Sequence, residues 1–151
     1  MLADNLKVLL ASVNSLSIKA QNFHWNVEGD NFPQYHEFFG NFYEEVYSAV
    51  DKIAEYIRTL DSYAPGSLTR YAELTIIQDQ LKIPRAELMF VESLQDCETM
   101  LQLVTAMFGN CACSTPLIKK IPLDICATRI IYHLILLIID WVFVKHLLII
   151  H

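Results

Sequence analysis

Two apolar stripes of helical period, parted by one short break, most constrain what this chain can fold into. Leu2, Leu6, Leu9, Leu10, Val13, Leu16, Ala20, Phe23 and Val27 recur at three- and four-residue steps, the spacing that lines one face of a helix. Phe39, Phe42, Val46, Val50, Ile53 and Ile57 repeat the pattern. Between them stand Gly29-Asp30-Asn31, a stop, and Pro33, which suits the first turn of a new helix. The pattern predicts helices over residues 3–28 and 33–60. So short a connection folds them back as an antiparallel hairpin.

Downstream, Asp61 to Ser67 with Pro65-Gly66 reads as a turn, and Leu68 to Gln78 as a short helix inside a longer connection. Pro84 opens a third long helix reaching Phe108, with Leu88, Val91, Leu94, Met100, Leu103, Val104 and Met107 on its apolar side. Gly109-Asn110 ends it by the usual C-terminal logic. Two long helices, a crossing segment and a third long helix predict an all-α, up-down bundle with one long crossover. The chain of 151 residues is expected to form a single domain, 1–151, with 110–151 atypical.

In that last stretch Thr115-Pro116 and Ile121-Pro122 break the chain. Ile130, Ile131, Ile135, Ile138, Ile139, Ile149 and Ile150 then surround a helix rather than stripe it, and β-branching lowers helix propensity. Three readings stay open: a buried fourth helix closing the bundle, a membrane anchor, or an altered tail that never completes it. Against the anchor, Asp140 and Lys145 would each cost about 2.5–3.5 kcal/mol at a bilayer centre.

A net charge of −6 gives no electrostatic footprint for a phosphate backbone, so direct DNA binding is disfavoured. The first residues lack the basic start and apolar run of a secretion signal, which points to a cytoplasmic protein. Cys97, Cys111, Cys113 and Cys126 include no paired C-x-x-C, so free thiols are expected rather than a zinc knuckle.

Four residues in the hairpin could hold a metal. His24 and His36 lie twelve residues apart, and Asp51 and Glu55 form an i,i+4 carboxylate pair. Imidazole with carboxylate suits iron, manganese or zinc. His36 and Asp51 share the expected second helix, fifteen residues or roughly 22 Å apart along its axis. One chain cannot bring both to one ion. A second copy running antiparallel would place its carboxylates beside the first copy's histidines, giving a two-fold dimer with two equivalent sites. The plainer alternative leaves the histidines as ordinary helix residues and the carboxylates as a solvated face pairing with Lys52 and Arg58.

The wording of the segment adds to the spacing. Asn-Phe-His-Trp-Asn-Val-x-Gly-x-x-Phe-x-x-x-His over 22–36, then Tyr-Glu-Glu and Asp-x-Ile-Ala-Glu, resembles the Dps-type mini-ferritins. The resemblance continues through Pro65-Gly66-Ser67, Tyr71-Ala72-Glu73-Leu74 and Leu94-Gln95-Asp96-Cys97-Glu98, covering about residues 1–108. It implies a ferritin-like four-helix subunit, with a short helix in the crossover, assembling as a homo-oligomer into a hollow dodecamer of two-fold dimers. The implied activity is ferroxidase: Fe(II) oxidised by hydrogen peroxide, or oxygen, with ferric mineral stored inside. His24, His36, Asp51 and Glu55 match the family's iron ligands, the carboxylates coming from the neighbouring subunit. Trp25 matches a tryptophan beside the site that intercepts radicals.

Departures accompany the match. Where the family has an aspartate one turn after the second histidine, this chain has Gly40. A glycine inside a helix costs about 1 kcal/mol relative to alanine and supplies no ligand. The family's basic DNA-binding extension is not found, Lys119-Lys120 stand where acidic pores draw their charge, and no match to the last helix is evident beyond Asn110. The rival readings are therefore a shell or interaction protein with a disabled site, and a DNA-compacting protein. If the iron reading holds, acid below about pH 6 weakens binding by protonating the imidazoles.

Overall fold

The computed structural model describes residues 2–109, all of whose regular structure is helical: α1 Leu2–Asn26, α2 Phe32–Tyr47, α3 Val50–Thr59, α4 Leu68–Leu74 and α5 Ala86–Gly109. The expected fourth bundle helix and its two rivals lie outside these residues, as do Lys119-Lys120, Cys111, Cys113 and Cys126. Among the described residues, no helix is long and apolar enough to cross a membrane.

The hairpin forms as its stripes demand. Phe23 packs edge-on against Phe39 at 5.6 Å, and further along Ser17 Oγ donates to the Tyr43 carbonyl at 3.3 Å. Partners ascend on one helix as they descend on the other, so α1 and α2 run antiparallel. The turn between them needs Gly29, whose φ of +129° only glycine adopts without strain. Its carbonyl accepts from the Phe32 amide at 3.0 Å, and Pro33 follows inside the first turn of α2.

One long second helix was expected over 33–60; two are found. Ser48 Oγ donates to the Glu45 carbonyl at 2.6 Å, and the Ala49 amide turns to the Val46 carbonyl at 3.2 Å. The hydroxyl thus competes with the ladder and tightens one turn, a known habit of serine in helices. The apolar stripe continues across the break, since Val46, Ala49, Ile53 and Ile57 are all buried.

The crossover begins at Asp61, whose φ of 56° closes α3 in the left-handed region. Ser67 caps α4 by accepting from the Arg70 amide at 3.3 Å. α4 stops at Leu74, short of the expected Gln78. Thr75 turns extended, and the Ile76 amide donates instead to Ser12 Oγ on α1 at 3.1 Å. α5 starts at Ala86, two residues past Pro84, with the Arg85 carbonyl accepting from Leu88 and Met89.

α5 presents Phe90 to Tyr35, Phe38 and Phe39 of α2, at centroid distances of 5.6, 4.9 and 4.7 Å. One turn on, its Glu92 and Asp96 meet Lys19 of α1. α5 therefore runs antiparallel to α1 and parallel to α2–α3, which is why the crossover must travel the full length of the bundle. α1 packs against all four other described helices. Phe23, Phe39, Phe42, Leu9, Leu10, Leu16, Ile57 and Met89 are essentially inaccessible to solvent, and each such side chain contributes about 1.5–3 kcal/mol by burial.

The buried groups of this core include a lysine cluster and a thiol. Lys19, only 8% exposed, places its ammonium 2.7 Å from Asp96 and 3.4 Å from Glu92, while Glu92 accepts from Gln80 at 2.8 Å. α1, α5 and the crossover are joined there. Burial raises the Asp96 pKa, opposed by its hydrogen bond from Lys19. Cys97 is a free, fully buried thiol whose pKa is pushed far upward, chiefly by burial and then by the charges of Asp96 and Glu98.

Candidate metal centre

The last turn of α1 and the first turn of α2 bring His24 and His36 face to face. Their rings stack with centroids 3.7 Å apart and planes 24° from parallel. Each ring also bonds the other's backbone: His24 Nδ1 lies 2.7 Å from the His36 carbonyl oxygen, and His36 Nδ1 lies 2.8 Å from the His24 carbonyl oxygen. A carbonyl oxygen only accepts, so both Nδ1 atoms carry the proton and donate. In a neutral imidazole that leaves Nε2 with its lone pair, the arrangement a metal-binding histidine needs. The His24 carbonyl belongs to the end of α1, where helical carbonyls lack a partner in the ladder. One pair of bonds thus closes the helix end and sets both tautomers.

Two further rings flank the pair. Phe32 stacks on His36 at 5.1 Å and Tyr43 tilts against His24 at 5.5 Å, giving the column Phe32, His36, His24, Tyr43. Both flanking residues fall in the motifs quoted above, but neither carries an expected role there, although Phe32 precedes His36 by four and Tyr43 follows it by seven, one helix face in both cases. Trp25 is 65% exposed and makes no ring contact among the described residues.

Asp51 and Glu55 are elsewhere. They stand one turn apart on α3, both exposed, with Asp51 in the first turn, where a carboxylate complements the helix dipole. Neither makes an ion pair or hydrogen bond among the described residues. The anticipated pairing with Arg58 does not form: its guanidinium donates to the Ser62 carbonyl at 3.0 Å and lies 4.6 Å from the Tyr63 ring. Among the described residues of one chain, no group of three or more histidine, cysteine or carboxylate side chains could hold a metal. The fold joins two of the four residues and holds the other two apart.

Gly40, the departure from the expected ligand pattern, faces His24. A Cβ at this position would sit 3.2 Å from both Cε1 and Nδ1 of the His24 ring.

Residues 3–112 match the ferritin-like domain. The chain belongs to the ferritin-like family. Its likenesses lie with the Dps-type mini-ferritins in that family. It is 34% identical over 92 residues to DNA protection during starvation protein 2 of Bacillus anthracis, a match covering 61% of this chain and 63% of that protein. Among solved structures, antigen TpF1 of Treponema pallidum is 25% identical with a TM-score of 0.72, covering 91% of this chain and 88% of that one. The Dps protein of Vibrio cholerae, described as a member of a broad superfamily of ferritin-like diiron-carboxylate proteins, superposes with a TM-score of 0.74 at 18% identity, covering 98% of this chain and 88% of that one. The match to a Haemophilus influenzae relative spans 62% of that protein's length, and to a Nostoc low temperature-induced relative 52%.

Proposed function

We propose that this chain is one subunit, a single ferritin-like domain over 1–151, of a cytoplasmic homo-oligomeric mini-ferritin that oxidises Fe(II) and stores the ferric product. The observation that carries this reading is the paired Nδ1-to-carbonyl bonding of His24 and His36, which leaves two Nε2 lone pairs free on adjacent rings. The diiron-carboxylate description of the Vibrio cholerae protein supports iron as the substrate metal.

In this reading a second copy of the chain supplies Asp51 and Glu55 to the histidine pair, because Asp51 follows His36 by fifteen residues, roughly 22 Å at the rise of a continuous helix. Two-fold symmetry then yields two equivalent centres per dimer, and six such dimers would close a dodecameric shell. The neutral imidazoles bind Fe(II), and the ionised carboxylates favour Fe(III). Each iron gives up one electron, and one hydrogen peroxide takes two electrons and two protons to become two waters. Fe(II) is removed before it can generate hydroxyl radicals. In this reading Trp25, exposed one residue beyond His24, would intercept any that form.

The names of several relatives refer to DNA protection or DNA binding. With a net charge of −6 this chain would protect DNA by withdrawing iron rather than by coating the duplex.

Subunit mixing tests the reading. Peroxide-dependent Fe(II) oxidation should fall more than about 100-fold in a His24→Ala/His36→Ala variant, beyond the range typical of losing a ligand's hydrogen-bonding support. An Asp51→Ala/Glu55→Ala variant should fall comparably. Co-assembling the two dead variants should restore roughly a quarter of the sites, because half of the random dimers hold one intact centre of two. Oxidation by either variant at the wild-type rate would sink the site. Absence of rescue in well-mixed shells would remove the inter-subunit arrangement. A wild-type shell that oxidises no faster than buffer would establish a non-catalytic shell.

A further inference from the structure

We infer that Gly40 is the seat of the His24 imidazole, so that what this position gives the site is the absence of a Cβ rather than the absence of a carboxylate. The inference rests on the proposed role of His24 as a metal ligand and concerns how that ligand is held.

Gly40 lies in the middle of α2, where glycine weakens a helix by its conformational freedom and its lack of side-chain packing. Its conformation requires no glycine; among the described residues only Gly29 and Asp61 have positive φ. A close approach of another group is the remaining structural use of a mid-helix glycine. That group is present: a Cβ at residue 40 would lie 3.2 Å from His24 Cε1 and 3.2 Å from His24 Nδ1, closer than ordinary van der Waals contact.

The approach follows from the hydrogen bond that His24 makes. Its Nδ1 reaches the carbonyl oxygen of His36, which in an α-helix points along the axis toward residue 40, four positions on. A side chain there shields the second lone pair of that oxygen. Glycine exposes it, and the ring can lie flat along the helix backbone.

Nor can the ring give way. Its Nδ1 is fixed at 2.7 Å, its face rests on His36 at 3.7 Å, and the Tyr43 ring stands 5.5 Å off. Moving it off residue 40 stretches the bond that keeps the proton on Nδ1. With that bond lost, the proton distributes between the two nitrogens, and Nε2 is blocked for part of the population. Gly40 is therefore a positioning residue for His24.

Gly40→Ala separates this role from an empty ligand position, because alanine adds one methyl group, no ligand, and better helix propensity. Histidine-labelled, metal-free full-length protein should show His24 as the Nδ1-protonated tautomer in its nitrogen–proton spectrum. In Gly40→Ala the same resonance should move toward a mixture, while thermal stability holds or rises. Zn2+, as a redox-inert probe, should bind about 10-fold or more weakly to the variant, the range seen when a ligand's supporting contact is lost. An unchanged His24 tautomer in Gly40→Ala would overturn the seat. So would a Gly40→Asp variant that binds Zn2+ more tightly than wild type, since residue 40 would then be a missing ligand. If wild type binds no Zn2+ at all, the metal reading fails, and the tautomer in the metal-free protein still decides the role of Gly40.

Discussion

The two ends of the α1–α2–α3 hairpin carry the same kind of chemistry under opposite mechanical conditions. At one end His24 and His36 are half-buried, stacked, and bonded into each other's backbone. At the other, Asp51 and Glu55 project from α3 into solvent with no hydrogen bond or ion pair among the described residues. The histidines would serve the fold even without a metal, because they close the end of α1 against the start of α2. Among the described residues the carboxylates serve nothing beyond the favourable place of Asp51 in the first turn of α3. Under the proposed function the histidines are organised before metal arrives, whereas the carboxylates would acquire their purpose only when another copy approaches.

The largest test of this contrast lies just below the histidines. Lys19→Met should destabilise the subunit by about 3–5 kcal/mol, the usual cost of removing one partner from a buried ion pair, read as a shift in urea midpoint at constant slope. Its pH dependence has a definite sign. Because burial raises the Asp96 pKa, the folded state holds that proton more tightly than the unfolded chain. Ionised Asp96 therefore costs stability, fully so above the folded pKa and not at all below the ordinary carboxyl value. Lys19 supplies the lowering influences, so the variant should lose most at neutral pH and recover as the solution is acidified. A loss independent of pH would show that Lys19 acts by packing alone.

Next in size, in the metal-free protein His36→Ala should cost about 2 kcal/mol, since one bond is lost and the His24 carbonyl at the end of α1 is left unsatisfied, and His24→Ala about 1 kcal/mol, since the His36 carbonyl keeps its place in the α2 ladder. Asp51→Asn and Glu55→Gln should stay within about 0.5 kcal/mol, as exposed substitutions do. Both sets should impair iron oxidation. Equal effects on stability at the two ends would break the comparison, and a stabilising effect of Asp51→Asn would place unfavourable charge on α3.

The hairpin was legible because its two stripes and the Gly29–Pro33 break are local, and each helix buries the face its spacing announces. Separating His36 from Asp51 along one axis needed only the rise of a helix. What escaped depended on atoms brought from afar or on hydroxyl choices. The Ser48 bond to Glu45 splits the second helix without disturbing its stripe. Ser12, on another helix, draws off the Ile76 amide where the short helix was expected to continue. The reciprocal histidine bonds and the contact of Tyr43 with His24 exist only once α1 and α2 have met. Gly40 shows the limit most clearly: in the sequence it is a ligand position left blank, and in three dimensions it is the surface beneath an imidazole.

Under the proposed function, with peroxide as oxidant, the buried Cys97 has its own significance. Peroxide is attacked by thiolate, not thiol, and oxidation proceeds through sulfenic acid to forms that are not readily repaired. With burial, Asp96 and Glu98 all favouring the protonated sulfur, Cys97 offers the oxidant almost no nucleophile and no path to reach it. The core of α5 can thus contain an oxidisable atom that would stay a reduced, slow-reacting spectator in the presence of that oxidant.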